Sequence, residues 1–197
     1  MALITKVKAG SVSSLSDARY FAAMGVDWLG FDVNPNSESF VSPELYNNIA
    51  GWVAGPKRVI EISVGQEKDI DKLIGDYSPD GIMVSNLSFP LWLISGLTTF
   101  ARVNIETFSL DIFIKLGTKP DYLVFDFDGH DPNLYIEMLE SLSKVTNILL
   151  SVETQIKNIA ALIAELPIVG LSLKGLKELA VGLKEYDYSE LLEQLED

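Results

Sequence analysis

Residues 4–33, ITKVKAGSVSSLSDARYFAAMGVDWLGFDV, decide how the rest of the chain is read. Ile4–Ala9 and Asp27–Val33 are short strand-like runs, the second almost continuously apolar, as suits a strand buried on both faces. Leu15–Met24 between them has helical character. It is capped by Ser14 or Ser16 and ended by Gly25, a natural C′ residue. Strand, helix and strand in immediate succession predict parallel strands joined by a right-handed crossover.

The same unit repeats to the end of the chain. Further strands are expected at Arg58–Ser63, Gly81–Ser85, Phe100–Ile105, Tyr122–Phe127, Asn147–Val152 and Val169–Leu173. Ser42-Pro43-Glu44 starts a helix that runs to about Val53, with serine at the cap and proline in the first turn. Other helices are expected at Glu67–Tyr77, Pro90–Leu97, Ser109–Leu116, Pro132–Lys144, Gln155–Leu166 and Tyr188–Leu195. Eight strands alternating strictly with eight helices make the fold class α/β, a (β/α)8 TIM barrel. The competing open doubly wound sheet usually has a glycine-rich first turn, and Ala9-Gly10-Ser11-Val12-Ser13-Ser14 carries one glycine. No linker or low-complexity tract interrupts the series, so residues 1–197 read as a single barrel domain with short loops.

Composition narrows the functional classes. Hydrophobic residues are 48% and charged residues 22% of the chain, which excludes a disordered protein. With 15 Lys+Arg against 28 Asp+Glu the formal charge is −13, a surface that repels phosphate backbones and anionic lipids, so neither nucleic acid nor membrane is an expected partner. There is no cysteine, which excludes disulfides, thiolate metal sites and thiol nucleophiles and suits the cytoplasm. The N-terminus lacks signal-peptide architecture, and the uncharged stretch Leu87–Ala101 is too short and interrupted for a membrane span of ~20 residues.

Function in a barrel sits where strands end and βα loops begin. The polar residues there are Lys8, Asp32, Asn34, Glu61, Ser63, Ser85, Asn104, Glu106, Asp126, Asp128, Glu153 and Lys174. Asp126 and Asp128, two apart on a strand, share a face. Turned inward, mutual repulsion and burial would raise the pKa of one of them and supply a general acid; otherwise Asp128-Gly129 is a turn that closes the strand. His130, the only histidine, lies on the same loop and cannot build a multi-histidine metal site. No resident metal or cofactor is expected. The candidate phosphate-binding loops are Ser151-Val152-Glu153-Thr154 and Lys174-Gly175-Leu176-Lys177.

Two motifs then carry a resemblance. Asp17-Ala18-Arg19, Ala23-Met24-Gly25-Val26-Asp27-Trp28-Leu29-Gly30-Phe31 and Asn34-Pro35-Asn36-Ser37-Glu38-Ser39-Phe40-Val41-Ser42-Pro43-Glu44 are spaced like D-A, G-A-D-x-(L/V)-G-F and Y-P-x-S-x-R-x-(V/I)-S-P-E. Gly175-Leu176-Lys177-Glu178 through Gly182-Leu183-Lys184 more weakly follows S-S-G-V-E-x-x-P-G-x-K-D. Both patterns belong to phosphoribosylanthranilate isomerase, and the chain resembles a divergent member of that family. The resemblance implies an Amadori rearrangement in tryptophan biosynthesis, with a cysteine base at the end of strand one and an aspartate acid at the end of strand six. It puts Asp126 at the acid. It puts Ala9 at the base by motif, or Gly10 by ungapped alignment, and neither side chain accepts a proton.

Ser39 stands where the family has an arginine for the anthranilate carboxylate, and Lys174 and Gly175 fall in the phosphate loop. Asp128 and His130 complete the candidate substrate contacts, while Asp32 and Glu61 are the candidate substitute bases.

Three functions follow as expectations: an isomerase with impaired or lost activity, a non-catalytic barrel serving as a binding or assembly partner, or another small-metabolite isomerase or lyase with a carboxylate-rich mouth. A small phosphorylated metabolite is the expected ligand. Leu91, Trp92, Leu93 and Ile94 run consecutively in the uncharged segment, so a homodimer or a protein partner is expected to dock there.

Overall fold

The structure, a computed structural model, describes residues 3–89, 91, 94–152, 158–175, 178–180, 183–184 and 188–196. Eight parallel strands close into a barrel in sequence order. They are β1 (Lys6–Ala9), β2 (Trp28–Asp32), β3 (Lys57–Ile62), β4 (Gly81–Val84), β5 (Thr98–Asn104), β6 (Tyr122–Asp126), β7 (Asn147–Val152) and β8 (Gly170–Leu173). The closing seam pairs Lys6 with Gly170 and Ala9 with Leu173.

Helices α1 (Leu15–Ala23), α2 (Pro43–Trp52), α3 (Ile70–Tyr77), α4 (Leu110–Ile114), α5 (Ile136–Ser143), α6 (Ile159–Glu165) and α7 (Ser189–Glu193) lie between and after the strands. Short 3-10 turns, Glu67–Asp69 and Pro132–Tyr135, lead into α3 and α5. Of the two cap candidates for α1, Ser14 does the capping, accepting from Asp17 N at 3.2 Å. Ser42 caps α2 through Leu45 N, with Pro43 in the first turn.

Strand alternation splits the core in two. Leu29, Phe31, Ile60, Ile82, Ala101, Leu123, Phe125 and Leu171 point outward and pack beneath the helices. The alternate residues Trp28, Val59, Met83, Phe100, Val124 and Leu149 fill the lower barrel interior. Phe100 stacks on Tyr122 with ring centroids 4.8 Å apart and meets Trp28 edge-on at 5.5 Å. This aromatic plug fills the N-terminal end of the barrel interior.

The connection between β4 and β5 corrects one expectation. Among its described residues there are only turns, bends and one residue of 3-10 character at Leu91, in place of a helix over Pro90–Leu97. Phe89, Leu91 and Ile94 are buried in the chain's own core. Leu91 and Ile94 are therefore not available as a docking surface; Trp92 and Leu93 lie outside the described residues. The start of the helix expected from Gln155, Glu153 and Lys177 lie outside them too. An antiparallel ribbon, β9 (Glu178–Ala180) with β10 (Leu183–Lys184), follows the barrel; no periodicity signalled so short a pair.

Candidate active site

Above the aromatic plug, the odd strands send Lys8 (β1), Glu61 (β3), Arg102 (β5) and Ser151 (β7) into the interior. Such layers of four are usually bulky and apolar. This one holds two cations and one carboxylate. Room for it comes from glycines: a Cβ at Gly30 would lie 2.1 Å from Glu61 Oε1 and 2.7 Å from Lys8 Nζ.

Lys8 is wholly buried and donates to Glu61 Oε1 in a buried ion pair. The second oxygen, Oε2, accepts from Ser11 N at 3.1 Å and from Ser11 Oγ at 3.2 Å. Burial alone would raise the Glu61 carboxyl. The positive fields of Lys8 and Arg102 and the hydrogen bonds from Lys8 and the Ser11 backbone outweigh it and hold the carboxyl below its ordinary value. Burial pulls the Lys8 ammonium below the usual lysine range, against the opposing pull of Glu61.

Parity separates the two candidate positions at the end of β1. Ala9 packs into the outer core beneath the helices, so its side chain does not face the mouth. Gly10 does face it: a Cβ there would sit 3.0 Å from Glu61 Oε1 and 3.4 Å from Lys8 Nζ. Of the two alternatives left by the sequence, the mouth-facing position at the end of β1 is thus Gly10, and it has no side chain.

The remaining candidates are distributed around the rim. Asp32, at the end of β2, accepts from Asn34 N at 2.9 Å through Oδ1 and from Ser39 Oγ at 3.1 Å through Oδ2. Ser39 therefore braces its own loop. Asp126 ends β6, half-buried, and its Oδ1 accepts from Asp128 N at 3.1 Å. Asp128 is exposed in the turn, with φ +46°, so the paired-carboxylate geometry does not form and the turn alternative holds.

His130 is also exposed and meets Glu106 with 3.2 Å between Nε2 and Oε1. Lys174 is exposed, and its carbonyl accepts from Tyr188 Oη at 3.1 Å. Gly175 closes against the β1 loop, where a Cβ would lie 2.3 Å from Gly10 O. No group of three or more His, Asp or Glu side chains suited to a metal ion exists among the described residues.

One cavity of about 360 Å3 opens at the mouth over β4, β5 and β6. Arg102, Asn104 and Asp126 form its polar wall; Leu87, Phe108 and Ile112 line the apolar side. Arg102 and Ser11 escaped the sequence reading. Arg102 sits two residues before the strand end, and Ser11 acts through a backbone N–H that no motif marks. The signal for Arg102 was its parity, two residues beyond the interior Phe100.

No family model matches the sequence, and no curated protein matches it. Solved structures do. Phosphoribosylanthranilate isomerase from Thermus thermophilus is similar at TM-score 0.73 and 20% identity, over 96% of each chain. The enzyme from Thermotoga maritima gives TM-score 0.74 at 16% identity, over 97% of this chain and 96% of the other. A phosphoribosylanthranilate isomerase in complex with reduced 1-(o-carboxyphenylamino)-1-deoxyribulose 5-phosphate gives 0.72 at 16% identity, again over 97% and 96%. Over nearly its whole length, this chain has the fold of the phosphoribosylanthranilate isomerases.

Proposed function

We propose that the chain is a divergent member of the phosphoribosylanthranilate isomerase family in which the Amadori rearrangement is lost or reduced to a trace. The observation that supports this reading is the end of β1. Gly10 faces the mouth with nothing to accept a proton, and the nearest carboxylate, Glu61, is engaged by Lys8 and Ser11. Asp32, the other candidate base, has a loop hydrogen bond on each oxygen. Asp126, which the resemblance puts at the acid, ends β6. An acid without a base leaves the proton abstraction unassisted, a loss of roughly 10²–10⁴-fold in rate.

The test is turnover of phosphoribosylanthranilate by the purified protein, followed by loss of substrate fluorescence, with Asp126→Asn as control. The expected result is a rate at background for both proteins. Turnover that Asp126→Asn abolishes would mean that a base has survived, and would overturn the proposal.

A further inference from the structure

We propose that the mouth cavity binds a small organic monocarboxylate, with Arg102 as its anion contact. The inference concerns binding alone and stands whether or not the rearrangement is lost.

The first support is an orphaned donor. Arg102 Nε is buried and has no hydrogen-bond partner, and Arg102 forms no ion pair among the described residues. A buried guanidinium N–H left unpaired is costly, and native structures rarely leave one so. Charge is the second. Lys8 and Arg102 face a single carboxylate in their layer, and Glu61 already serves Lys8 and Ser11. The layer thus has an excess positive charge that an incoming anion would neutralise.

The cavity wall then selects the class. A guanidinium presents a planar fork that matches a carboxylate bidentately. Phe108 and Ile112 offer an apolar surface for the body of the ligand, and Asp126, an acceptor, favours a ligand that also carries an N–H or O–H donor. About 360 Å3 limits the occupant to a small molecule of roughly one ring. A dianionic phosphate fits less well, because Asp126 lines the same space and the whole chain carries −13.

The experiment uses benzoate as the probe, with neutral benzamide as its isostere, on the full chain and its Arg102→Met and Arg102→Lys variants. Binding is read by NMR titration and by thermal shift. Benzoate is expected to bind saturably in the millimolar range and raise Tm, whereas benzamide does neither. Arg102→Met is expected to weaken benzoate by at least about tenfold, and Arg102→Lys to weaken it less. Without any probe, Arg102→Met should hold or raise Tm, since it removes a half-buried cation whose buried Nε has no hydrogen-bond partner. Equal responses to benzoate and benzamide, benzoate binding that survives Arg102→Met, or a Tm lowered by Arg102→Met alone would each overturn the assignment.

Discussion

Lys8→Met is expected to destabilise the protein by about 3–5 kcal/mol, the usual cost of removing one partner from a buried ion pair. In a domain of this size that is a fall in Tm on the order of 10 °C. The cause is what remains: Glu61, 9% exposed, would keep its charge with the two Ser11 donors and the field of Arg102 but no ion-pair partner. Adding Glu61→Gln to Lys8→Met should recover most of the loss, because the uncompensated carboxylate is then gone. Urea denaturation of the two single variants and the double variant measures the coupling. A loss below about 1 kcal/mol for Lys8→Met would mean that Arg102 swings over and takes Lys8's place.

Gly170→Ala is the second large effect, and it acts on the backbone. Gly170 pairs with Lys6 across the seam that closes the barrel. A Cβ there would lie 1.9 Å from the Lys6 carbonyl oxygen and 2.6 Å from its carbon. Neither atom can rotate aside as the end of a side chain does, so β1 and β8 must part. The expected cost is about 3 kcal/mol or more, at the upper end of overpacking effects. Gly51→Ala in α2, where nothing lies within 4 Å, is the matched control. It should be neutral or stabilise by about 0.5–1 kcal/mol. Equal melting temperatures for the two variants would contradict the seam geometry.

Much of the barrel was legible because its signal is local. Apolar runs such as Asp27–Val33 and Asn147–Val152 mark strands buried on both faces, and Ser42-Pro43 marks a helix start within three residues of its place. The β4–β5 connection was misread for a physical reason: an apolar segment with no charge can belong to a buried helix or to an irregular loop folded into the core. Periodicity does not separate the two. Leu91 and Ile94 turned inward, which removes those two residues from the expected docking face.

The mouth was legible only residue by residue. Lys8 and Glu61 were both visible as strand-end polar groups, yet their pairing spans 53 residues and depends on barrel closure. The space they occupy depends on Gly30, which in the sequence reads only as part of a motif. Parity along β1 places Lys8 and Gly10 on one face and Ala9 on the other, a distinction of one residue that motif alignment alone left open.

Glu61 separates a mouth without a base from one that has kept a base under another name. Its folded-state pKa lies below the ordinary 4.5. A carboxyl depressed in this way stabilises the fold fully above its unfolded value, and that contribution is lost as pH falls through the folded value. The direct measurement is a carbon-13 NMR titration of the Glu61 carboxyl from neutral pH into acid, assigned by comparison with Glu61→Gln. The predicted result is a carboxylate ionised throughout the neutral range, with its midpoint below that of a free glutamate and acid unfolding shifted when Glu61 is removed. A midpoint raised toward neutrality would contradict the account, since it would make Glu61 a carboxyl poised to take a proton.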